Sequence, residues 1–307
     1  MNARFHPQAG AAVIVAMLVV ALATLAASQF LFRSHIETRK LENLAHLDQA
    51  RWVLRAGEQW AAAVLWDDAR QNSVDHSGEA WAREMPPVEA EGFRIRGRIQ
   101  DQDGRFNLNN LVRDGEVVPA QRAVFARLLQ HLDLPEGLAG AVADWLDADD
   151  LAFDESGPES EAYRQAGRGA LPPNRPLVNL GELMPVRGMT SEILAQLRPY
   201  VTLLPETTRV NLNTAPPELI AALAPGLHLD EAHALVARRE RVHFRNFGDV
   251  ANALPAGTGL NPDMVVFASR YFRVTAHARH GRVALGSQAL FRREGREFPT
   301  LIWRAAL

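Results

Sequence analysis

The sequence predicts an α+β protein: one long helix packed on an antiparallel sheet, with a large all-helical domain inserted between the strands of that sheet. Three observations carry this. A helical pattern runs from Ala11 to about Trp66, with no proline between Pro7 and Pro86. Segments of strand period lie near Phe93 and again after Tyr271. The stretch between them, Val112–Val266, reads as a series of helices.

The first helix has two halves. No charge occurs between His6 and Arg33, a run of 26 residues. The 22 residues Ala11–Phe32 span about 33 Å at 1.5 Å per residue, enough to cross a hydrocarbon core of about 30 Å. Beyond Phe32 the pattern turns amphipathic: Ile36, Leu44, Leu47, Leu54, Val64 and Leu65 alternate with Arg39, Glu42, Asp48, Arg51 and Glu58. A free helix of this length frays, so its second half needs a surface to pack on. Trp52, Trp60 and Trp66 are expected in that core, with partner contacts as the alternative.

Three N-terminal roles compete. A cleaved secretory signal has a charged start (Arg4), a short apolar core and a small-residue cut, for which Ala21-Leu22-Ala23 serves, although the run stays apolar to Phe32. An uncleaved anchor fits the length. A prepilin-type leader has a short polar segment, glycine before the cut and a long apolar helix after it; Met1–Gly10 followed by Ala11 fits. Arg33, Arg39 and Lys40 after the span outnumber Arg4 before it, so a literal count of flanking cations puts the body in the cytoplasm.

The remaining elements follow in order. Gln71–Gly92 reads as loop, and Phe93–Gln100 (FRIRGRIQ) alternates apolar residues with arginine as a strand does. Asp103-Gly104 marks a turn, and Arg105–Leu111 is a short strand or a helix approach. Helices are predicted at Gln121–Leu132, Gly137–Leu146, Glu192–Leu197, Pro217–Leu223, Asp230–Arg239 and near Asp249–Leu254. Tyr271–Ala278 and Val283–Arg292 form a hairpin about His280-Gly281, and Thr300–Ala305 is a third strand. Asn107-Leu108-Asn109 recurs as Asn211-Leu212-Asn213, and Val178–Leu183 as Arg245–Val250, a weak internal repeat of a small helical unit.

The 307 residues, 47% hydrophobic, hold enough apolar material for one large or two small domains beside the span. Absence of cysteine excludes disulfides and thiolate metal sites and leaves the redox compartment open. Lys40 is the single lysine, which reads as genome bias.

The leader Gly10|Ala11, the span, GRFNLNNL (Gly104–Leu111), DWLDAD (Asp144–Asp149), GPESEAY (Gly157–Tyr163) and RVNLNTAPPELIAAL (Arg209–Leu223) together resemble the minor pseudopilin K family of bacterial type II secretion, the general secretion pathway protein K family. The likeness runs in order over nearly the whole chain. It implies a prepilin leader at 1–10, a transmembrane segment at 11–32, a pilin-like part at 33–111, an inserted helical domain at 112–266 and C-terminal pilin-like strands at 267–307. It implies cleavage after Gly10 by prepilin peptidase, methylation, and a single-pass inner-membrane protein with its body in the periplasm, against the flanking-charge count. The implied partners are pseudopilins of the I and J types and the inner-membrane secretion platform, with no nucleic acid. Most pilin-like subunits carry Glu at the fifth mature position, a costly intramembrane carboxylate thought to pair with a neighbour's amino terminus. Here that position is Val15. The resemblance thereby points to a subunit at the pseudopilus tip, with no neighbour above it.

Eight carboxylates fall between Asp144 and Glu161 with no Arg or Lys among them. Such oxygen-rich chemistry suits Ca²⁺, yet the spacing is not an EF-hand: from Asp147, position six is Ala152 and position twelve is Pro158. A solvated acidic loop is the plain alternative. The resemblance implies calcium, one or two ions, at Asp147, Asp149, Glu159 and Glu161, with Asn174 adding a carbonyl. Ser160 stands where the family often has Asp, which removes one ligand or leaves its place to water.

VNLNTAPPELIAALAPG followed by Asp230–Arg241 is similar to helix-hairpin-helix DNA-binding modules, which gives the second reading: a DNA-uptake or type IV pilus component. Its hairpins, Pro225–His228 and Arg187–Thr190, each have one glycine where two are wanted. Val112–Val266 carries 21 acidic and 13 basic residues, and a domain at −8 gains nothing from counterion release. No HExxH, GxSxG or P-loop occurs, so an enzyme is not expected. The histidines, His228, His233, His277 and His280 included, read as surface residues. Asn211 and Asn213 are expected to cap the following helix or bridge backbone turns.

Overall fold

The computed structural model describes residues 9–148 and 172–307. α1 spans Ala9–Gln71, 63 residues and about 95 Å of helix. Every residue from Ala11 to Ala45 on it is exposed, and its apolar window has a mean hydropathy of 2.5 with none of it buried inside the protein. A long polar loop leads to β1 (Val88–Ala90) and β2 (Phe93–Asp101).

Helices and short strands follow: β3 (Phe106–Asn107), a 3-10 turn at Leu108–Leu111, β4 (Val112–Arg113), β5 (Glu116–Val117), α2 (Pro119–His131) and α3 (Leu138–Leu146). After a 3-10 turn at Leu180–Leu183 come α4 (Ser191–Leu197), β6 (Val201–Thr202), β7 (Val210–Asn211), α5 (Pro217–Leu223), α6 (Leu229–Arg241), α7 (Phe247–Ala251) and, after Pro262–Met264, β8 (Val265–Val266). The chain then returns to the sheet through β9 (Tyr271–His280), β10 (Val283–Arg292) and β11 (Thr300–Ala306).

The five-stranded sheet runs β1-β2-β9-β10-β11, antiparallel throughout. β2 and β9 are neighbours in space although the helical body separates them in sequence. Asp101 is the ladder partner of Phe272, and the Gln102 amide donates to the Tyr271 carbonyl at 2.8 Å.

α1 lies across one face of the sheet. Ala50, Val53 and Leu54 pack on Phe93, Ala276, Ala278 and Val283; Ala61, Ala62 and Leu65 pack on Ile99, Phe272, Val274, Ala289 and Phe291. Alanines on both surfaces let the helix backbone approach the strands. Between the two clusters Glu58 is fully buried, and its carboxylate accepts from Ser287 Oγ at 2.7 Å and from Arg304 Nε at 2.6 Å. The tryptophans do not enter this core as expected. Trp52 is 66% and Trp60 53% exposed, and Trp66 donates to the Arg296 carbonyl beside Phe298. The close approach leaves room for alanine on the inward stripe, so the broad indoles stand off it.

The helical body has its own core, from Phe106 to Val265. Phe106, Leu108 and Leu111 belong to it, so the sequence boundary at Val112 falls too late; an apolar pattern does not say which of two cores a residue joins. The repeat is real in three dimensions. β3 pairs in parallel with β6, and β7 with β8. Asn109 pinches the backbone of Leu177, accepting from its amide at 2.9 Å and donating to its carbonyl at 3.0 Å. Asn213 does the same to Phe244, at 2.9 and 2.8 Å. Each pinched residue precedes a capped turn: Asn179 caps Leu180–Leu183, with Glu182 reaching back to its amide, and Asn246 caps α7, with Asp249 reaching back to Arg245. Asn211 and Asn213 therefore bridge; the cap of α5 is Pro216, with no side-chain bond.

Candidate functional site

Gly10 and Ala11 lie in the first turn of α1, and Val15 is exposed on its bare half. The stretch is an uncharged, unpacked cylinder that needs either lipid or other helices around it.

Of the acidic stretch, Asp147 and Asn174 are described, while Asp149, Glu159 and Glu161 lie outside the described residues. Asp147 is the C-cap of the buried helix α3 and is itself buried, as is Asp144 one turn earlier. Both carboxyl groups therefore sit at the C-terminal end of α3. Asn174 has φ 48°, a left-handed conformation that asparagine tolerates. The described donors are hard oxygens, the chemistry that holds Ca²⁺.

A second set of carboxylates was not foreseen in the sequence. Among the described residues Asp68, Asp75 and Glu79 bring side-chain oxygens within 4.8 Å of one another. A cation is already there: Arg293 Nη2 donates to both Asp75 oxygens at 2.5 and 2.6 Å, and Nη1 to Asp68 at 3.0 Å. Glu79 accepts from Trp81 Nε1, Asn72 Nδ2 and the His76 amide.

This cluster continues into the junction between sheet and helical body. Asp101 accepts from Thr214 at 2.5 Å, Ser269 at 2.6 Å and Asn211 at 3.2 Å. Asn211 also donates to the Asp75 carbonyl, tying the loop after α1 to β7. Asp103 Oδ2 accepts the Arg270 and Tyr271 amides at 2.5 and 3.1 Å. Gly104 is required by crowding: a Cβ there would lie 2.4 Å from Thr214 Oγ1. Burial raises four of these carboxyls. Asp75 rises to about 6 against the opposing pull of Arg293; Asp103 rises to about 7, helped by the Asp101 charge; Glu79 rises to about 7; and Asp101 is also pushed up by burial. The Asp-x-Asp-Gly pattern at 101–104 is a sequence trace of the junction, and alone it reads as a turn.

The helix-hairpin-helix comparison fails on chemistry. Gly226 and Gly188 do make left-handed turns, at φ 87° and 83°. The N-terminus of α6 is taken by its own acid, since Glu231 accepts the His228 amide at 2.9 Å and Asp230 lies beside it. A phosphate meets two carboxylates there. The expected surface histidines hold for His228 and His233, both exposed; His280 instead packs against Phe93 and His46, with Nδ1 2.6 Å from the Gly92 carbonyl oxygen.

Comparison with known proteins adds three findings. Models described as type II secretion system, protein K match residues 104–206 and 210–268, and they divide the helical body where the internal repeat does. Type II secretion system protein K of Pseudomonas aeruginosa is 35% identical over 289 residues, 89% of this chain and 85% of that protein. The protein of the same name from Aeromonas hydrophila is 28% identical over 92% of each chain. Among solved structures, a chain of the GspK-GspI-GspJ complex from the enterotoxigenic Escherichia coli type 2 secretion system superposes with a TM-score of 0.76 at 21% identity, covering 87% of this chain and 99% of that one, a likeness of fold.

Proposed function

The chain belongs to the type II secretion system protein K family, and from that membership we propose that it is the minor pseudopilin at the tip of the secretion pseudopilus. Its role there is structural: it helps initiate assembly and export of folded proteins across the outer membrane. One observation carries this reading. α1 is a single rod whose first half is bare and uncharged and whose second half is welded to the sheet, and its fifth position after Gly10 is Val15. Such a helix stands in the inner membrane before assembly and among other helices after it. Lacking the carboxylate, it has no need of a subunit above. The body lies in the periplasm, and the partners in the filament are pseudopilins of the I and J types, reached through the sheet and α1. Prepilin peptidase and the inner-membrane secretion platform act on it earlier.

The test is N-terminal sequencing of protein recovered from cells that make prepilin peptidase. The expected start is Ala11. A start after Ala23 or Ala27, or an intact Met1, removes the pilin class.

Calcium completes the proposal. Asp147 and Asn174, with Asp149, Glu159 and Glu161, are the ligands offered, and the ion would neutralise carboxylates gathered after α3. Calcium at about 1 mM is expected to raise the melting temperature, and a chelator to lower it, with magnesium much less effective. An unchanged melting curve with and without calcium overturns the site.

A further inference from the structure

The strand-period run at Phe93–Asp101 has a second face. Phe93, Ile95 and Ile99 face α1, so Arg94, Arg96 and Arg98 project from the opposite side, all three exposed. β9 adds two arginines and a histidine to this outer face. Arg279 stands directly opposite Arg94, His277 opposite Arg96, and Arg273 opposite Gln100. Where the sheet meets the helical body the row continues. Burial lowers Arg273 to about 10, and the charges of Arg105, Arg98 and Arg198 push it the same way.

Like charges placed directly across a strand pair are destabilising, and of these arginines only Arg94 has a carboxylate as a ladder partner among the described residues, Glu89 on β1. Acidic residues are not scarce, since the chain has 36 against 33 Lys and Arg. Yet among the described residues none of these arginines is within ion-pair distance of a carboxylate. The carboxylate whose charge Arg105 feels, that of Asp101, is buried in the junction. The opposite face behaves otherwise: there Arg304 is paired with buried Glu58.

We propose that the outer face of β2 and β9 is a docking surface for an acidic protein surface, one that presents carboxylates to Arg94, Arg96, Arg98 and Arg279. Arginine forks suit carboxylates in pairs, and the strand spacing sets the three β2 arginines about 7 Å apart over about 13 Å, the scale of one strand or two helical turns. A duplex nucleic acid extends well past so short a patch and meets a helical body of net charge −8. A membrane is out of reach. Phe93 packs on α1 at Ala50–Leu54, and Ala50 lies 18 residues beyond Phe32, about 27 Å of helix, against a Debye length of about 8 Å. This inference goes beyond the tip placement and does not depend on it.

The probe is a fluorescein-labelled decaglutamate peptide, titrated by anisotropy into the full chain in neutral detergent. The triple variant R94E/R96E/R98E is expected to weaken binding about tenfold or more. A control with the same charge change on the helical body, R238E/R241E/R245E, is expected to change it less than about twofold. Melting of the β2 variant should stay close to the parent, because the relief of Arg94 against Arg279 is offset by a new glutamate at position 94 facing Glu89; the single R96A is the fallback if it does not fold. Equal loss in both triple variants, or tighter binding of a duplex DNA than of decaglutamate, overturns the proposal.

Discussion

Replacing Arg293 with methionine is expected to cost about 3–5 kcal/mol of stability, the scale for removing one partner of a buried ion pair. The guanidinium is 6% exposed and holds five acceptors: both oxygens of Asp75, one of Asp68, and the carbonyls of Leu65 and Ser269. Asp68 and Leu65 belong to α1, Asp75 to the loop after it, and Ser269 to the segment entering β9. One side chain therefore fastens the helix to the point where the helical body rejoins the sheet. Methionine fills the space and supplies no charge, leaving Asp75 buried against Asp101. Urea denaturation measures the loss, and the double variant R293M/D75N should recover a large part of it. Loss within about 1 kcal/mol would mean that water reaches Asp75.

Asp103→Asn should make the protein more stable at alkaline pH and leave it unchanged in acid. Asp103, Glu79 and Asp75 all titrate above the ordinary carboxylate range because they are buried. The folded protein thus keeps protons that the unfolded chain has released. The stabilising contribution is complete below about pH 4 and is lost as pH rises through 6 and 7. Asparagine keeps an oxygen for the Arg270 and Tyr271 amides and carries no charge to desolvate. The variant is expected to match the parent near pH 4 and to exceed it by about 1–3 kcal/mol at pH 8. Denaturation midpoints across that range check it, and a variant weaker than the parent at pH 8 refutes the assignment.

Much of the architecture was legible because its signals are local. The helix Pro217–Leu223 and the strand Val283–Arg292 have the bounds their patterns imply. The repeat was visible as two Asn-Leu-Asn triplets because the second asparagine of each makes the same pinch. The junction was not legible. Its partners lie far apart in sequence, Asn211 with Asp101 and Arg293 with Asp75, and no periodicity links them. The tryptophans misled for a related reason: a hydrophobic stripe gives the buried face of a helix but not the gap across it, and here that gap admits alanine. Of the residues named as calcium ligands, the described ones are Asp147, buried at the end of α3, and Asn174.

The pairing of Asp101 with Phe272 has one more consequence. The helical body leaves and re-enters the sheet at adjacent rungs of a single ladder, so its entry and exit form a port the width of one strand pair. Whatever is spliced into that port leaves the register of β2 on β9 untouched. The sheet and α1 can stay fixed to the geometry of a shared filament while the cargo at the port changes in size, charge and ligands. Loads on the cargo, in turn, reach the shaft through two neighbouring strands and the arginine that ties α1 to the segment entering β9.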